Sequence, residues 1–165
     1  MIFRVGTGSD VHRLARGRKL VLGGVRIPFE KGSVGHSDGD ALSHAICDAL
    51  LGAAALGDIG RHFPNSSPRY RNVSSLRFLK EVRQMLARKG WAIGNVDAIV
   101  ELERPKLAPY AARMQKKIAS ALGLKPADVS VKAKSGEGIG EVGRGEAIRA
   151  QAIALIRKVE AGKKK

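Results

Sequence analysis

The 165-residue chain predicts an α+β fold in which helices cover one face of a small sheet. Three observations carry that reading. Apolar residues recur at helical spacing in some stretches, they alternate at strand spacing in others, and the two kinds are interleaved around a short hairpin signal. The length suits a single domain over residues 1–160, with a basic tail at 161–165 that includes Lys163 to Lys165.

Taken in order, residues 2–6 read as a strand running into Gly6-Thr7-Gly8, where small residues open unusual backbone angles. Lys19 to Leu22 and Val25 to Pro28 flank Gly23-Gly24, a two-residue hairpin signal. From about Asp40 to Leu56, Leu42, Ala45, Ile46, Ala49, Leu50 and Ala53 fall on one helical face, with Gly57 as the stop and Ser37 or Asp38 as the cap. A loop at Asn65 to Pro68 leads to a helix capped by Ser74 or Ser75 and ended by Gly90. Trp91 to Leu102 alternates as a strand interrupted near Gly94-Asn95. After Pro105 and Pro109 a helix runs to Leu122 and stops at Gly123. Asp128 to Lys134 alternates cleanly as a half-buried strand, and after a glycine-rich loop Glu146 to about Val159 reads as a last helix. The open sheet face calls for a partner chain, so an oligomer is expected.

Thirty Lys and Arg against fifteen Asp and Glu give a net charge of +15, which favours polyanionic partners. Seven aromatic residues are few for a base-stacking surface, and the cations are dispersed: Arg77, Lys80, Arg83, Arg88 and Lys89 along one helix, Arg113, Lys116 and Lys117 along another. A solvated basic face is the first reading, a functional anion field the second. A lone cysteine, Cys47, excludes an internal disulfide and a cysteine-rich zinc module and fits a reducing compartment. Met1-Ile2-Phe3-Arg4 lacks the look of a signal peptide, and no apolar run approaches the ~20 residues of a membrane span, so a cytoplasmic protein with no membrane partner is expected.

Asp10-Val11-His12 has i, i+2 spacing, which puts the acid and the imidazole on one face of an extended segment, and His44 sits on the first helix. A carboxylate and two imidazoles suit Zn²⁺ or a similar ion and leave a fourth position open. The alternative is that Asp10 caps a turn and the histidines are ordinary polar residues. His36-Ser37-Asp38-Gly39-Asp40 precedes the helix N-terminus, a natural anion site. Asp58 has no evident structural role. Gly138, Gly140 and Gly143 spell a dinucleotide-type G-x-G-x-x-G, but too near the end of this sequence for the strands such a fold requires. That loop reads either as a turn with a helix start or as a phosphate cradle helped by Lys132, Lys134 and Arg144.

These clusters occur in one order. Gly8-Ser9-Asp10-Val11-His12, Gly23-Gly24-Val25-Arg26-Ile27-Pro28, His36-Ser37-Asp38-Gly39-Asp40-Ala41 and the run Leu50 to Gly60 come first. Gly94-Asn95-Val96-Asp97, Arg104 to Pro109 and Gly143-Arg144-Gly145-Glu146 follow. Over about residues 2–160 the chain resembles the 2-C-methyl-D-erythritol 2,4-cyclodiphosphate synthase family. The resemblance implies small mixed four-stranded sheets packed around a threefold axis, as a homotrimer with active sites between subunits. It implies cyclisation of 4-diphosphocytidyl-2-C-methyl-D-erythritol 2-phosphate with release of CMP, in non-mevalonate isoprenoid biosynthesis. That small-molecule substrate then replaces nucleic acid as the expected partner.

By the same resemblance Asp10, His12 and His44 hold zinc, and Glu137 holds a second ion, Mg²⁺ or Mn²⁺, bridging the diphosphate. His36, with Ser37 beside it, and Ser135 stabilise the transition state, and Asp58 counts with His36 and Ser135 among the catalytic residues. Asp58, Ile59 and Gly60 meet the erythritol hydroxyls, and Val11 and Phe63 belong to the substrate site. Leu102, Pro105, Lys106, Leu107 and Ala108 form the cytidine pocket with Ala133, Lys134 and Ser135, while Gly136, Glu137 and Arg144 complete the substrate contacts. Asn65-Ser66-Ser67 stands where the family is commonly acid-rich, and Ser135 where Thr is common. Lys134 and Gly136 replace threonines, and Ser9 and Glu141 stand where many members have Phe lining an apolar axial cavity.

Overall fold

Twelve α and β elements account for most of residues 1–159, the part of the chain that the computed structural model describes. In order they are β1 (Phe3–Arg16), β2 (Leu20–Leu22), β3 (Val25–Ile27), β4 (Lys31–Ser33), α1 (Ala41–Ala53), α2 (Ile59–His62) and α3 (Ser75–Arg88). Then come β5 (Trp91–Glu101), α4 (Ala111–Leu122), β6 (Val129–Lys134), α5 (Gly140–Gly143) and β7 (Ala147–Lys158). The main sheet has the order β4-β1-β7-β5-β6, with only the β5–β6 pair parallel. The expected four-stranded mixed sheet is thus the four long strands, and the three-residue β4 extends its edge. The basic tail at 161–165 lies outside the described residues.

The expected hairpin is β2–β3, with Gly23 and Gly24 both at positive φ as a tight two-residue turn requires. The interruption in β5 is a bulge between Ile93 and Asn95. On α1 the predicted apolar face is buried, with Leu42, Ile46, Leu50 and Leu51 fully so. Burying each such side chain contributes about 1.5–3 kcal/mol. The cations named on α3 and α4 are all exposed, as a solvated basic face requires. Among the described residues no helix is long and apolar enough to cross a membrane.

The structure corrects the sequence reading in four places. The last helix is a strand: in β7, Ile148, Ala150, Ala152, Ala154 and Ile156 are buried at every second position, whereas Ile153 between them is 53% exposed. Alanine favours a helix, but alternation sets the inward face, and three inward alanines leave room for α1 to lie across the strand. β1 runs to Arg16, far past residue 6, paired with β7 along most of its length. Gly6 and Gly8 are extended; what they supply is close approach, since a Cβ would fall 2.1 Å from the Ala49 and Ala45 carbonyl oxygens of α1. Finally, neither Ser37 nor Asp38 caps α1: Asp40 does, accepting from the Ser43 amide at 3.0 Å.

Asp40 also joins α1 to the hairpin. Its two oxygens accept from the Gly23 and Gly24 amides at 2.9 and 2.8 Å and from the Ser43 hydroxyl at 2.8 Å. Burial, then the nearby Asp38 charge, pushes the Asp40 carboxyl above its usual range, and the surrounding donors oppose that shift.

Candidate metal centre

Inward residues of β1 alternate as Gly6, Gly8, Asp10, His12 and Leu14, so the first two bring α1 close and the next two use that closeness. His44 sits one turn into α1, its amide bonded to the Asp40 carbonyl at 3.1 Å. Asp10, His12 and His44 therefore converge, as the family resemblance implies, while spacing by itself brings together only Asp10 and His12. Asp10 Oδ2 lies 3.0 Å from His12 Nε2 and 2.9 Å from His44 Nδ1, and the two ring nitrogens are 3.2 Å apart. Ligands about 2.0–2.1 Å from a tetrahedral Zn²⁺ stand about 3.3 Å apart, so the triangle fits one divalent ion within a few tenths of an ångström.

Charge inside the triangle is strongly coupled. Burial pushes the Asp10 carboxyl up, but hydrogen bonds with His12 and His44 outweigh it and hold the group well below the usual carboxylate range. Burial likewise disfavours a charged His44, yet the Asp10 carboxylate, with the charges of Asp40 and Asp38 behind it, raises the ring above its ordinary 6.5. The other Asp10 oxygen accepts from the Val11 amide at 2.9 Å, which aims Oδ2 at the imidazoles.

A cleft of about 310 Å³ opens over this group. His36, Ser37, Ile59, Gly60 and Phe63 line it, as expected, and Phe63 stacks on Phe78 with ring centroids 4.5 Å apart. His36 Nε2 lies 3.0 Å from the Ser67 carbonyl oxygen, which can only accept, so that nitrogen carries the proton. Asp58 does have a structural role: it caps α2, accepting from the Arg61 amide at 2.9 Å. Val11 does not face the cleft. Its side chain is 55% exposed on the opposite face of β1, in a separate hollow with Ser9, Arg149 and Gln151.

The remaining expected residues form a second group where the parallel strands β5 and β6 end. The Leu102 amide donates to the Lys134 carbonyl at 2.9 Å, Ser135 bonds to Glu137, and Arg104-Pro105 is a cis peptide. Leu102 and Leu107 are buried, whereas Lys106, Ala108, Lys134, Ser135, Glu137 and Arg144 are exposed. None of these residues lines the metal cleft. Glu137 stands outside the metal triangle, and Arg144 pairs with Glu146 at 3.1 Å. Glu141 pairs with Arg149, so an ion pair occupies its position.

Sequence reasoning missed several members. Asp48 lines the cleft and anchors α2 through the Ile59 amide at 2.7 Å; burial pushes its carboxyl up. Its signal was available, because it sits four residues after His44 on the same helix. Glu103 lies within the Leu102–Ala108 run expected at the cytidine pocket, but its own role has no sequence signal: it accepts from the Gly136 amide at 3.0 Å and ties the two halves of the second group together. Tyr70 and Phe78 reach the cleft from a 3-10 turn and α3, and no local pattern marks them, whereas Asn65 reaches it from the loop where the family is commonly acid-rich.

A family model described as the YgbB family matches residues 3–157. The 2-C-methyl-D-erythritol 2,4-cyclodiphosphate synthase of Nitrosospira multiformis is 56% identical over 154 residues, which cover 93% of this chain and 87% of that relative. The bifunctional IspDF of Campylobacter jejuni is similar with a TM-score of 0.91 at 36% identity, over 95% of this chain and 42% of that one. An IspF of Plasmodium falciparum in complex with CDP gives a TM-score of 0.83 at 34% identity, over 96% and 97% of the two chains. The chain belongs to the YgbB family, among the 2-C-methyl-D-erythritol 2,4-cyclodiphosphate synthases.

Proposed function

We propose that the chain cyclises 4-diphosphocytidyl-2-C-methyl-D-erythritol 2-phosphate in non-mevalonate isoprenoid biosynthesis. An oxygen of the 2-phosphate forms a bond to the β-phosphorus, the bond from that phosphorus to the bridging oxygen breaks, and the bridging oxygen leaves with CMP. The attacking oxygen is already anionic near neutral pH, so no strong base is needed. Positioning and charge neutralisation are the work left to the protein.

The observation that carries this reading is the Asp10, His12 and His44 triangle under a cleft that already contains His36, Ser37, Ile59, Gly60 and Phe63. These three side chains would hold a divalent ion, zinc in this reading, and Glu137 a second one, Mg²⁺ or Mn²⁺; when bound, such ions offset phosphate charge and polarise phosphorus–oxygen bonds. His36 and Ser135 stabilise charge that develops on the phosphate oxygens, each turning to the substrate from the bond it makes within this chain to the Ser67 carbonyl or to Glu137. Asp58 and the backbone of Ile59 and Gly60 orient the erythritol. Loop residues 102–108, with Lys106, hold the cytidine together with residues 133–137, and Arg144 adds a cation. The CDP complex of the Plasmodium falciparum relative supports a cytidine diphosphate pocket in this chain.

No residue of the second group lines the metal cleft of its own chain, and Phe3, Val5, Val11 and Ile153 are exposed on the uncovered sheet face. Both facts support a homotrimer in which the second group of one subunit completes the metal cleft of the next. A cytoplasmic location and a single domain over 1–160 belong to the same reading.

The test is CMP release from authentic substrate by purified protein supplied with Zn²⁺ and Mg²⁺. Release that stops with a chelator and returns with metal is expected, and folded His44→Ala protein should neither hold zinc nor release CMP. Metal-loaded protein that leaves the substrate intact would overturn the reading.

A further inference from the structure

Behind the metal triangle His44 continues into a chain of hydrogen bonds that the reaction itself does not use. Its outer nitrogen, Nε2, lies 2.8 Å from the Ser75 hydroxyl, and that hydroxyl lies 2.5 Å from Asp38 Oδ1. The other Asp38 oxygen accepts from the Ser75 amide at 3.0 Å, so the carboxylate grips Ser75 at two points and caps α3 from outside the helix. Ser37 stands 3.1 Å from the same ring nitrogen as a longer second contact.

The direction of this chain follows from donor and acceptor chemistry. A carboxylate only accepts, so the Ser75 hydroxyl spends its one proton on Asp38. Its oxygen is then left as an acceptor for His44, and Nε2 must carry a hydrogen. The lone pair of a neutral His44 is thereby placed on Nδ1, the atom that faces Asp10 and His12. Ser75 is fully buried, so water does not compete for these contacts in the intact protein.

We infer that Asp38 and Ser75 are positioning residues that fix His44 with its Nδ1 lone pair turned toward the metal. The inference rests on the metal reading above and adds to it the groups that hold one ligand in the right tautomer and orientation. Such outer partners typically change metal affinity 10–100-fold when removed. The arrangement also joins two distant parts of the chain at the Ser75 hydroxyl, since His44 and Asp38 come from α1 and the loop just before it and Ser75 from the start of α3.

The test uses full-length protein, Ser75→Ala and Asp38→Asn, with zinc affinity measured by competition against a chromophoric chelator at fixed pH. The second readout is the imidazole NMR spectrum of the zinc-loaded proteins. Wild type should show a His44 Nε2–H resonance protected from exchange. Ser75→Ala should lose that protection and bind zinc about 10–100-fold more weakly, while circular dichroism of the metal-free protein stays unchanged. Asp38→Asn keeps the side-chain volume and carries the test should Ser75→Ala fail to fold. Its amide can donate to Ser75 and reverse the chain, so it should weaken zinc binding as well.

Zinc affinities of both variants within twofold of wild type, or a zinc-loaded wild type in which His44 is ligated through Nε2, would overturn the assignment. Wild-type protein that takes up no zinc sinks the metal reading instead, so the two failures are told apart.

Discussion

Zinc should stabilise this protein more at pH 8 than at pH 6, and the metal triangle sets by how much. In the metal-free protein the folded pKa of His44 lies above its ordinary 6.5, because Asp10, with Asp40 and Asp38, outweighs the burial that opposes the charge. The stability this charged ring contributes is complete below about 6.5 and is lost as pH rises through the raised value. Asp10 has the opposite sign: its folded pKa is depressed, so its contribution holds above the ordinary 3.8 and is lost only as pH falls through a value far below this range. Of these two, Asp10 is therefore a constant across neutral pH and His44 changes.

Zinc and the proton compete for the same atom, His44 Nδ1. While that nitrogen is protonated, each pH unit gained should tighten apparent zinc binding about tenfold, or about 1.4 kcal/mol. Zinc at about 100 times its dissociation constant adds about 2.7 kcal/mol of stability, and at about 10 times only about 1.4 kcal/mol. With about 2–4 °C per kcal/mol for a chain of this size, the melting shift should fall from about 5–11 °C to about 3–6 °C over one pH unit. Thermal unfolding followed by circular dichroism, with and without a fixed free zinc concentration, reads this directly. A zinc shift that is constant from about pH 6 to about pH 8, or larger at the acidic end, would refute the assignment of Nδ1 as a ligand.

Three further outcomes follow from packing and from the cleft. Asp40→Ala removes the cap of α1 and strands the Gly23 and Gly24 amides, so it should cost about 3 kcal/mol in urea unfolding; a cost under about 1 kcal/mol contradicts the joint described for it. Gly8→Ala places a methyl 2.1 Å from the Ala45 carbonyl oxygen, and should cost about 3 kcal/mol while also lowering zinc uptake, because α1 must move and takes His44 with it. An unchanged unfolding midpoint with full zinc stoichiometry would rule that coupling out. His36→Ala and Ser135→Ala should each lower kcat about 10²–10³-fold with zinc content intact, as measured by steady-state CMP release; an effect confined to KM would make them binding groups only.

What the sequence makes legible is whatever is written locally. Gly23-Gly24 marks the hairpin because a two-residue turn needs positive φ at both positions, and α1 is plain because one side of it is apolar at helical spacing. The pairing of Asp10 with His12 is legible for the same reason, since alternation on a strand is a local property. β7 is misread because its inward alanines satisfy helix propensity, and only the packing of α1 against the strand decides between the two. Glu103, Ser75 and Phe78 stay hidden because their roles come from contacts with segments 33, 31 and 34 residues away in sequence.

One strand shows how packing and chemistry share a pattern. On its inward face β1 carries two glycines and then two ligands. Neither glycine can take a Cβ unless α1 moves, because α1 lies against their backbone, and that contact brings His44 within 3 Å of Asp10. On the outward face the same strand carries Phe3, Val5 and Val11, all exposed in one chain. A change that lifts α1 from Gly6 or Gly8 therefore acts on the metal ligands without touching them. A change on the outward face should spare zinc binding by the isolated chain and act only where a second chain covers it. Metal affinity and association state thus report on opposite faces of β1, and substitutions along it should separate the two alternately, residue by residue.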